Sequence, residues 1–506
     1  SWWITTGKYY WEISFRDGSI GATPYCGITG NFEQDGGEIA GGTDKAWFNH
    51  IYHSRYTQSG STDLSNEGDY NGMQMGDTFG FAVDLDARIF YGYYHGGLIF
   101  VDTTIPDANT TKFAPFVFST NDGASGGNWA DVTFNFGQRP FKHTVPDEFS
   151  PIATNNMTPG VIRAQKHFDT LLYTGDGSSN NRVTGLEFKP DLVWIKSRTA
   201  VSNHIWQDTV RGNYILYSNL ESAEGATGGG WVKSFNDDGF TTDVNGPINT
   251  NGHNYAAWCW KAGGTAVTNN DGTITSSVSA NQEAGFSIVT FTGTGSAGTV
   301  GHGLGKAPAV VITKRRNASQ AWFVHHKNAS NGHYLRLNAN NAQGGDTNVY
   351  PNNMSTTNTF AIGGDDGVNG NGSTYVSYCW AEIPGYSKFG FFTGNGNGNT
   401  QPSGKVVRLG FKPALVILKS TGSFSGSNWG IFDFKRLGYN RKVYDLRSNA
   451  NNSEGSDNTI ISLDAEGFRI TTTSSGFGGS SSYNYIYMAW AENPGRLPFN
   501  MPPTAS

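Results

Sequence analysis

The feature that most constrains the fold is a phrase that recurs three times along the chain. Residues 185–199 read "GLEFKPDLVWIKSRT", residues 409–420 read "LGFKPALVILKS", and residues 303–316 give a looser version, "GLGKAPAVVITKRR". In each phrase a proline precedes an unbroken apolar run, which is typical of a strand that begins at the proline and is covered on both faces. The repetition predicts one β-fold that is built three times.

Further phrases recur in the same order and define three copies, which we name segment 1 (165–262), segment 2 (284–384) and segment 3 (386–495). The recurring residues are Pro190, Pro308 and Pro413, then Trp206, Trp322 and Trp429, then Asn219, Asn340 and Asn449. Each copy closes on an aromatic strand, "YAAWCW", "YVSYCW" or "YIYMAW". About seven short strands per copy are enough for a β-sandwich with its own core. The stretch 263–283 is polar and is predicted to be a linker.

The composition supports an all-β protein made of several antiparallel β-sandwiches. Aromatic residues make up 14% and charged residues 15% of the 506 residues, unlike the composition of a disordered chain. Short apolar runs separated by Gly, Asn, Ser and Thr indicate strands and turns. The net charge of −6 gives no basic footprint for nucleic acid, and no apolar run is long enough for a membrane helix. The chain begins Ser1-Trp2-Trp3, so we expect an upstream segment.

Residues 1–150 do not follow the repeat and carry other phrases, among them "GKYYWEISF" (7–15), "GDTFGFAVDLDARIFYGYYHGG" (76–97) and "VTFNFGQRPF" (132–141). Their alternation and tight turns predict an antiparallel sandwich, with Asp84 and Asp86 in a turn. In order and wording the phrases resemble the SPRY family, a concanavalin-like sandwich of lectin type. The resemblance implies a domain that binds proteins or glycans through its loops and is not an enzyme.

The three segments resemble a domain of unknown function found in structural proteins of marine bacteriophages. The phrases "FKPDLVWIKSR", "DGF" and "YAAWCW" carry this resemblance. It implies an extracellular virion protein of the tail-fibre or appendage type, which binds host-cell surface glycan or protein and other virion proteins. It also implies a symmetric homo-oligomer, with a trimer expected.

Patterns that could carry catalysis or metal binding have simpler structural explanations. The "GTGSAG" stretch (293–298) lacks the helix that a dinucleotide site needs, and "GASGG" (123–127) lacks the setting of a nucleophile elbow. His325 and His326 are adjacent, point to opposite faces if they lie on a strand, and have no further ligands at a recognisable spacing. We therefore expect no catalytic residue, no metal and no cofactor.

Two further patterns concern stability. Asp208 and Arg211 recur as Asp433 and Arg436, whereas segment 2 lacks the pair. A salt-bridged turn, of small energy if it is exposed, is one interpretation, and a carbohydrate contact is the other. Cys259 and Cys379 occupy matching strand positions, and we expect both to be free, buried thiols.

The segment 46–60, "AWFNHIYHSRYTQSG", is the strongest candidate for ligand binding. It is predicted to be a loop, and its ligand-binding residues are predicted to be Trp47, Tyr52, Arg55 and Tyr56, because aromatic faces stack on sugars or anchor a protein contact. The alternative is a loop that packs on its own sandwich.

The sequence as a whole favours binding over catalysis. A structural decoration or scaffold protein that binds only virion proteins is the second hypothesis. A polysaccharide-degrading enzyme is the third, and it would need a pair of carboxylates that the sequence does not display.

Overall fold

The computed structural model divides into two compact units, Ser1–Pro159 and Gly160–Ser506. The structure describes residues 7–17, 23–30, 46–50, 54–57, 60–63, 78–103, 113–120, 131–137, 139–152, 163–226, 231–244, 246–394, 405–422, 427–436, 444–455, 460–464, 467–472, 475–477, 480 and 483–492. The predicted all-β class is confirmed, because the described residues form antiparallel sheets with few short helical turns. No helix among them is long and apolar enough to span a membrane.

The described residues of the first unit form two sheets. Its strands are β1 (Lys8–Asp17), β2 (Thr23–Gly30), β3 (Ala46–His50), β4 (Ser54–Thr57), β5 (Gly60–Asp63), β6 (Thr78–Asp84), β7 (Ile89–Tyr94), β8 (Gly97–Asp102), β9 (Phe113–Thr120), β10 (Asp131–Asn135) and β11 (Ser150–Pro151). One sheet has the order β10-β1-β6-β7-β8, with β11 beside β1, and the other has the order β5-β4-β3-β2-β9. In the first sheet Trp11 stacks on Phe81 and Phe90 at centroid distances of 5.7 and 6.1 Å. The predicted turn is also present, since the Asp84 carboxylate accepts hydrogen bonds from the main-chain N–H groups of Asp86 and Ala87.

The second unit contains three large sheets, one in each segment. In segment 1 the strands are β12 (Phe168–Thr174), β13 (Asn181–Thr184), β14 (Leu192–Ser197), β15 (Ile205–Asp208), β16 (Tyr214–Tyr217), β17 (Gly225–Ala226), β18 (Val232–Asn236), β19 (Gly239–Thr242) and β20 (Asn254–Trp260). In and before segment 2 they are β21 (Val267–Asn269), β22 (Ser276–Asn281), β23 (Phe286–Thr292), β24 (Gly298–Gly301), β25 (Val310–Arg315), β26 (Trp322–His326), β27 (His333–Arg336), β28 (Gly344–Gly345), β29 (Thr359–Ile362) and β30 (Thr374–Trp380). In segment 3 they are β31 (Ser387–Thr393), β32 (Lys405–Arg408), β33 (Pro413–Ser420), β34 (Gly430–Asp433), β35 (Leu446–Arg447), β36 (Ile461–Asp464), β37 (Gly467–Ile470) and β38 (Asn484–Ala491). A one-turn helix, α1, spans Asp366–Asn369, and short 3-10 turns span Ala164–Lys166, Phe434–Arg436 and Ser475–Phe477.

The three large sheets share one order of neighbours. The orders are β12-β20-β14-β15-β16-β17, β23-β30-β25-β26-β27-β28 and β31-β38-β33-β34-β35. Each segment also has a small second sheet, namely β13-β19-β18, β24-β29 and β32-β37-β36. In segments 1 and 2 a separate apolar core lies on one face of the large sheet and includes residues of the small sheet, such as Phe240 and Phe360.

Residues 263–283 are not a linker without structure. They form β21 and β22, which extend the segment 2 sheet beyond β23. The composition is misleading here because Ser and Thr are frequent in turns but also suit strands when they alternate with apolar residues, as around Val278. The close fit requires glycine at position 263, where a Cβ would lie 2.4 Å from the carbonyl oxygen of Ala280. The segment boundaries themselves stay predictions.

The predicted match of Trp206 with Trp322 and Trp429 is wrong by two residues. The main-chain N–H of Trp322 and that of Trp429 donate to Asn338 and Asn449, at 2.9 and 3.0 Å. In segment 1 the residue in this role is His204, whose N–H donates to Asn219 at 3.0 Å. Because side chains on a strand alternate with period two, Trp206 still lies on the same face, where its ring is 5.2 Å from that of Trp322. The Asn in segment 2 is likewise Asn338 and not Asn340.

One hydrophobic core contains residues of all three segments. At its centre Trp260, Trp380 and Trp490 are buried, and their ring centroids are 6.0, 5.5 and 6.0 Å apart. Their strand registers are equivalent, since each pairs with the corresponding residue near the start of the central strand, Leu192, Val310 or Leu415. The three segments therefore pack in a ring around one tryptophan cluster. The other face of each central strand is covered within its own segment, as the unbroken apolar runs predict.

Buried ionic networks join segment 1 to both of its neighbours. Asp208 accepts hydrogen bonds from Arg211 and from the Tyr378 hydroxyl of segment 2, both at 2.7 Å. Arg211 also forms an ion pair with Glu224, and Glu224 forms a second ion pair with Arg316 of segment 2 at 2.8 Å. The Asp208 and Arg211 side chains are 0% exposed, so this pair is not the exposed turn of small energy that the sequence allowed.

The same network recurs between segments 3 and 1. Asp433 accepts from Arg436 at 2.5 Å and from the indole N–H of Trp258 at 3.0 Å. Arg436 also forms an ion pair with Glu454, and Glu454 forms a second ion pair with Arg198 of segment 1 at 2.9 Å.

The junction of segments 2 and 3 differs. His326 occupies the register position of Asp208 and Asp433, and its Nε2 lies 3.2 Å from the main-chain oxygen of Tyr487. The position of the donors Trp258 and Tyr378 is taken by Met488, which has no N–H or O–H to offer an aspartate.

Candidate functional site

A cavity of about 410 Å³ lies within segment 2. It is bounded by the entry to the central strand at Pro308, by the end of β26 at His325 and Lys327, and by residues 329–332, 351–355 and Glu382. The volume falls in the lower part of the range of roughly 300–1,000 Å³ that is usual for small-molecule sites. The cavity combines a few apolar surfaces with several polar side chains, which is the usual make-up of a specific ligand site.

His325 is the central polar residue of this cavity. It lies on β26 opposite Val311, and the edge of its ring contacts Tyr350 at a centroid distance of 5.9 Å. Burial lowers its pKa to about 4, so the imidazole is neutral at pH 7. A neutral imidazole has one donor and one acceptor nitrogen, and neither nitrogen of His325 forms a hydrogen bond with another described residue. Both nitrogens are therefore available to a ligand.

The equivalent positions in the other two segments are filled. Gln207, opposite Val193, uses both atoms of its amide on the main chain of Val232, at 2.8 and 3.1 Å. Phe432, opposite Val416, is fully buried and packs edge-on against Phe477 at 5.9 Å. The site in segment 2 alone therefore places a polar side chain with unused hydrogen-bonding groups against an open volume.

Lys327 and Glu382 form an ion pair at the rim of the cavity. Glu382 also accepts a hydrogen bond from the main-chain N–H of Phe389 at 2.7 Å, so its carboxylate is held in place. No other charged side chain lines the cavity, and the formal charge of its lining is balanced.

Two residues on the opposite wall carry uncommon features. Asn353 has a φ of +55°, in the left-handed region that asparagine tolerates better than most residues. The Ser355 hydroxyl is buried without a hydrogen-bond partner among the described residues. Such an orphan polar group is rare and costs free energy unless a ligand or water satisfies it.

The sites predicted from sequence have different outcomes. Trp47 lies on β3, and Arg55 and Tyr56 lie on β4, where Arg55 pairs with Asn49. The segment 46–60 is thus largely a pair of strands and not the loop predicted, because aromatic residues are favoured in strands. Tyr52 and the side chains of the other three lie outside the described residues. Their proposed role in ligand binding stays a prediction.

The remaining expectations concern metals and thiols. Cys259 and Cys379 are free and buried, as predicted, and burial raises the pKa of each thiol. Within the described ranges, no group of three or more His, Cys, Asp or Glu side chains could hold a metal ion. His326 faces the junction with segment 3 and His325 the cavity, which agrees with the predicted opposite orientation of the two rings.

The fold and the cavity define a class, namely an all-β protein whose three like-paired sheets enclose a common core, with a small polar cavity among the described residues of segment 2. The chain belongs to the family described as Domain of unknown function (DUF7483), which matches residues 163–494 in one continuous span. No curated protein matches the sequence.

Two solved structures show remote similarity. The SPRY domain of human HERC1 is 19% identical over 28% of this chain and 81% of that chain, with a TM-score of 0.21. The NanB sialidase from Streptococcus pneumoniae is 11% identical over 97% of this chain and 78% of that chain, with a TM-score of 0.17. Similarity at these TM-scores carries no information about activity.

Proposed function

We propose that the protein is a non-enzymatic binding protein of a bacteriophage virion, a fibre or appendage component that attaches to a glycan or another receptor on the host surface. The resemblance of the repeated phrases to phage structural proteins motivates the setting. The cavity around His325 supports a binding role, because the ring nitrogens of His325 are unused, while the equivalent side chains are either hydrogen-bonded, as in Gln207, or packed and apolar, as in Phe432. This contrast is the observation on which the proposal depends.

The architecture is consistent with a rigid adhesion module. In the proposal the three segments are tandem copies of one domain, closed into a ring by the tryptophan cluster and the ionic networks. Residues 1–150 are a SPRY-like domain with a second contact surface around Trp47, Tyr52, Arg55 and Tyr56. Chains associate as a homo-oligomer, with a trimer expected, so that weak single contacts add up to firm attachment.

The test is a binding measurement on the full chain with whole host cells and a glycan array. The proposal predicts retention of the protein on a subset of glycans or on cells, with no shortened product when the same glycans are analysed after incubation. Binding to virion proteins with no glycan or cell binding would favour the decoration or scaffold role instead. Release of shorter saccharides would favour an enzyme.

A matched pair of variants connects the result to the cavity. His325→Phe places in segment 2 the residue that segment 3 uses at this position, and His253→Gln alters a histidine of segment 1 outside the cavity lining. We expect the first variant to weaken attachment and the second to leave it unchanged. Unaltered attachment in both variants would indicate that the first unit, and not the cavity, binds the receptor.

A further inference from the structure

We propose that the ligand of the segment 2 cavity is a neutral, polyhydroxylated molecule, namely a hexose or pentose unit of a glycan, and not a sugar acid. This inference rests on the proposed binding function and names its ligand class. It follows from three properties of the lining: the balance of its charges, the type of its free hydrogen-bonding groups, and the distribution of its apolar surface.

The charges of the lining are already paired with one another. Lys327 neutralises Glu382, and Glu382 is fixed further by the N–H of Phe389. An anionic ligand would have to separate Lys327 from Glu382 or lie near that carboxylate without a counter-charge, and leaving a charge unpaired in a partly buried site is costly. A cationic ligand meets the opposite obstacle at Lys327. The site therefore favours a ligand without net charge.

The free groups are those that hydroxyls satisfy. A hydroxyl donates one hydrogen bond and accepts others, so it can serve a neutral imidazole at either nitrogen, an amide or another hydroxyl. The cavity is lined by the ring of His325 and by the side-chain amides of Asn331 and Asn353. Several such groups around one small volume fit a ligand that carries several hydroxyls.

The apolar part of the lining fits the remaining surface of a sugar ring. Pro308, Ala309, Pro351 and Met354 contribute carbon atoms to the walls. A pyranose or furanose presents C–H groups between its hydroxyls, and burial of these groups against carbon removes apolar surface from water. A purely polar ion or a purely apolar molecule would leave one part of the lining unmatched.

The experiment measures binding to the full chain by saturation-transfer NMR and calorimetry. The probes are glucose, galactose, mannose and xylose, together with glucuronate and galacturonate as the charged counterparts of the first two. We expect at least one neutral sugar to bind with a millimolar dissociation constant and its acid to bind at least tenfold more weakly.

Two variants assign the binding to the cavity. His325→Phe removes both ring nitrogens, and Asn353→Gly removes an amide at a backbone conformation that glycine adopts without strain. We expect each to weaken sugar binding at least tenfold with little change in thermal unfolding, while the control His253→Gln binds as the wild type does.

The possible outcomes separate the two proposals. Tighter binding of glucuronate or galacturonate than of any neutral sugar would overturn the neutral class and leave a saccharide-binding role intact. No sugar binding in a chain that still attaches to glycans or cells would overturn the assignment to this cavity. No sugar binding together with no attachment would overturn the proposed function itself.

Discussion

Three equivalent buried lysines make the stability of the protein increase with pH from the neutral to the alkaline range, and Lys419 is the best place to test this. Lys196, Lys314 and Lys419 are each at most 1% exposed, and each donates to the carbonyl of the next residue, at 2.7, 2.8 and 3.0 Å. Burial lowers the pKa of Lys419 from 10.5 to about 7, and the pKa values of the other two to about 8. Lys419 also donates to the Ser427 hydroxyl at 2.7 Å, and no carboxylate contributes to its shift.

The sign and size of the effect follow from proton linkage. Because the folded pKa is lowered, the unfolded chain binds the proton more strongly, and the full stability is present only above the unfolded value of 10.5. As the pH falls from 10.5 towards 7, that contribution is lost at about 1.36 kcal/mol for each pH unit. Between pH 9.5 and 7.5 the wild type should therefore lose about 2.5 kcal/mol of unfolding free energy through Lys419 alone.

The assay compares the wild type with Lys419→Met by urea unfolding at pH 7.5 and 9.5, followed by tryptophan fluorescence. The difference in unfolding free energy between the two proteins should change by about 2.5 kcal/mol between these pH values, with the wild type gaining at high pH. The buried tyrosines and cysteines have raised pKa values, so their contributions to the unfolding free energy fall at high pH. These contributions are the same in both proteins and cancel when the difference between the proteins is taken. Lys306→Met, at an exposed position, should show no such change. An identical difference at both pH values would refute the claim that burial governs the protonation of Lys419.

Three further predictions address the junctions and the core. Asp433→Ala removes one of the two carboxylates paired with the buried Arg436 and leaves the indole N–H of Trp258 without its acceptor, and we expect it to lower the unfolding free energy by about 3 kcal/mol, whereas Asp238→Ala, which removes an exposed pair with Arg182, should have little effect in the same urea experiment. The pKa of His326 is lowered to about 3, so the stability that the neutral ring contributes is complete above pH 6.5 and is lost as the pH falls. In acid titrations, the unfolding free energy of the wild type should therefore fall by about 2 kcal/mol relative to that of His326→Gln between pH 6.5 and 4.5. Iodoacetamide should leave Cys259 and Cys379 unmodified in the native protein and alkylate both after unfolding, as mass spectrometry can measure; modification of the native protein would contradict their burial.

The strand pattern of the second unit was readable from sequence because its signals are local. A proline followed by an apolar run indicates the start of a strand covered on both faces, and the structure has such strands at β14, β25 and β33. Matching by single residues was less secure. A shift of two residues preserves the face of a strand, so the sequence could not distinguish Trp206 from His204 as the counterpart of Trp322.

The energetics of the junctions could not be read from sequence, because burial there depends on distant parts of the chain. Asp208 is covered by Tyr378, and Asp433 by Trp258, each from another segment. A pattern confined to Asp-x-x-Arg indicates a turn, and nothing in it reveals that the turn is packed against a different sheet. The prediction of a linker at 263–283 was wrong for a related reason. The small polar residues of β22 form a strand because β23 pairs with them, and the local sequence does not show this pairing.

The cavity, in contrast, left a signal that comparison of the copies could have found. Within a ring of like segments, differences at equivalent positions require a cause. The difference among Asp208, His326 and Asp433 is explained by the neighbouring segment. Each aspartate accepts a hydrogen bond from a neighbour's side chain, whereas the neighbour's residue near His326 is Met488, which has no donor. The preceding residues are Gln207, His325 and Phe432, and their side chains point to the opposite face, into their own segments. Contact with a neighbouring segment therefore does not explain why these three residues differ. Gln207 and Phe432 complete a packed interior, whereas His325 faces an open volume with ring nitrogens that no described residue engages. A polar side chain directed into open space at one of three equivalent positions, where the other two are packed, is the expected mark of a position kept for a ligand.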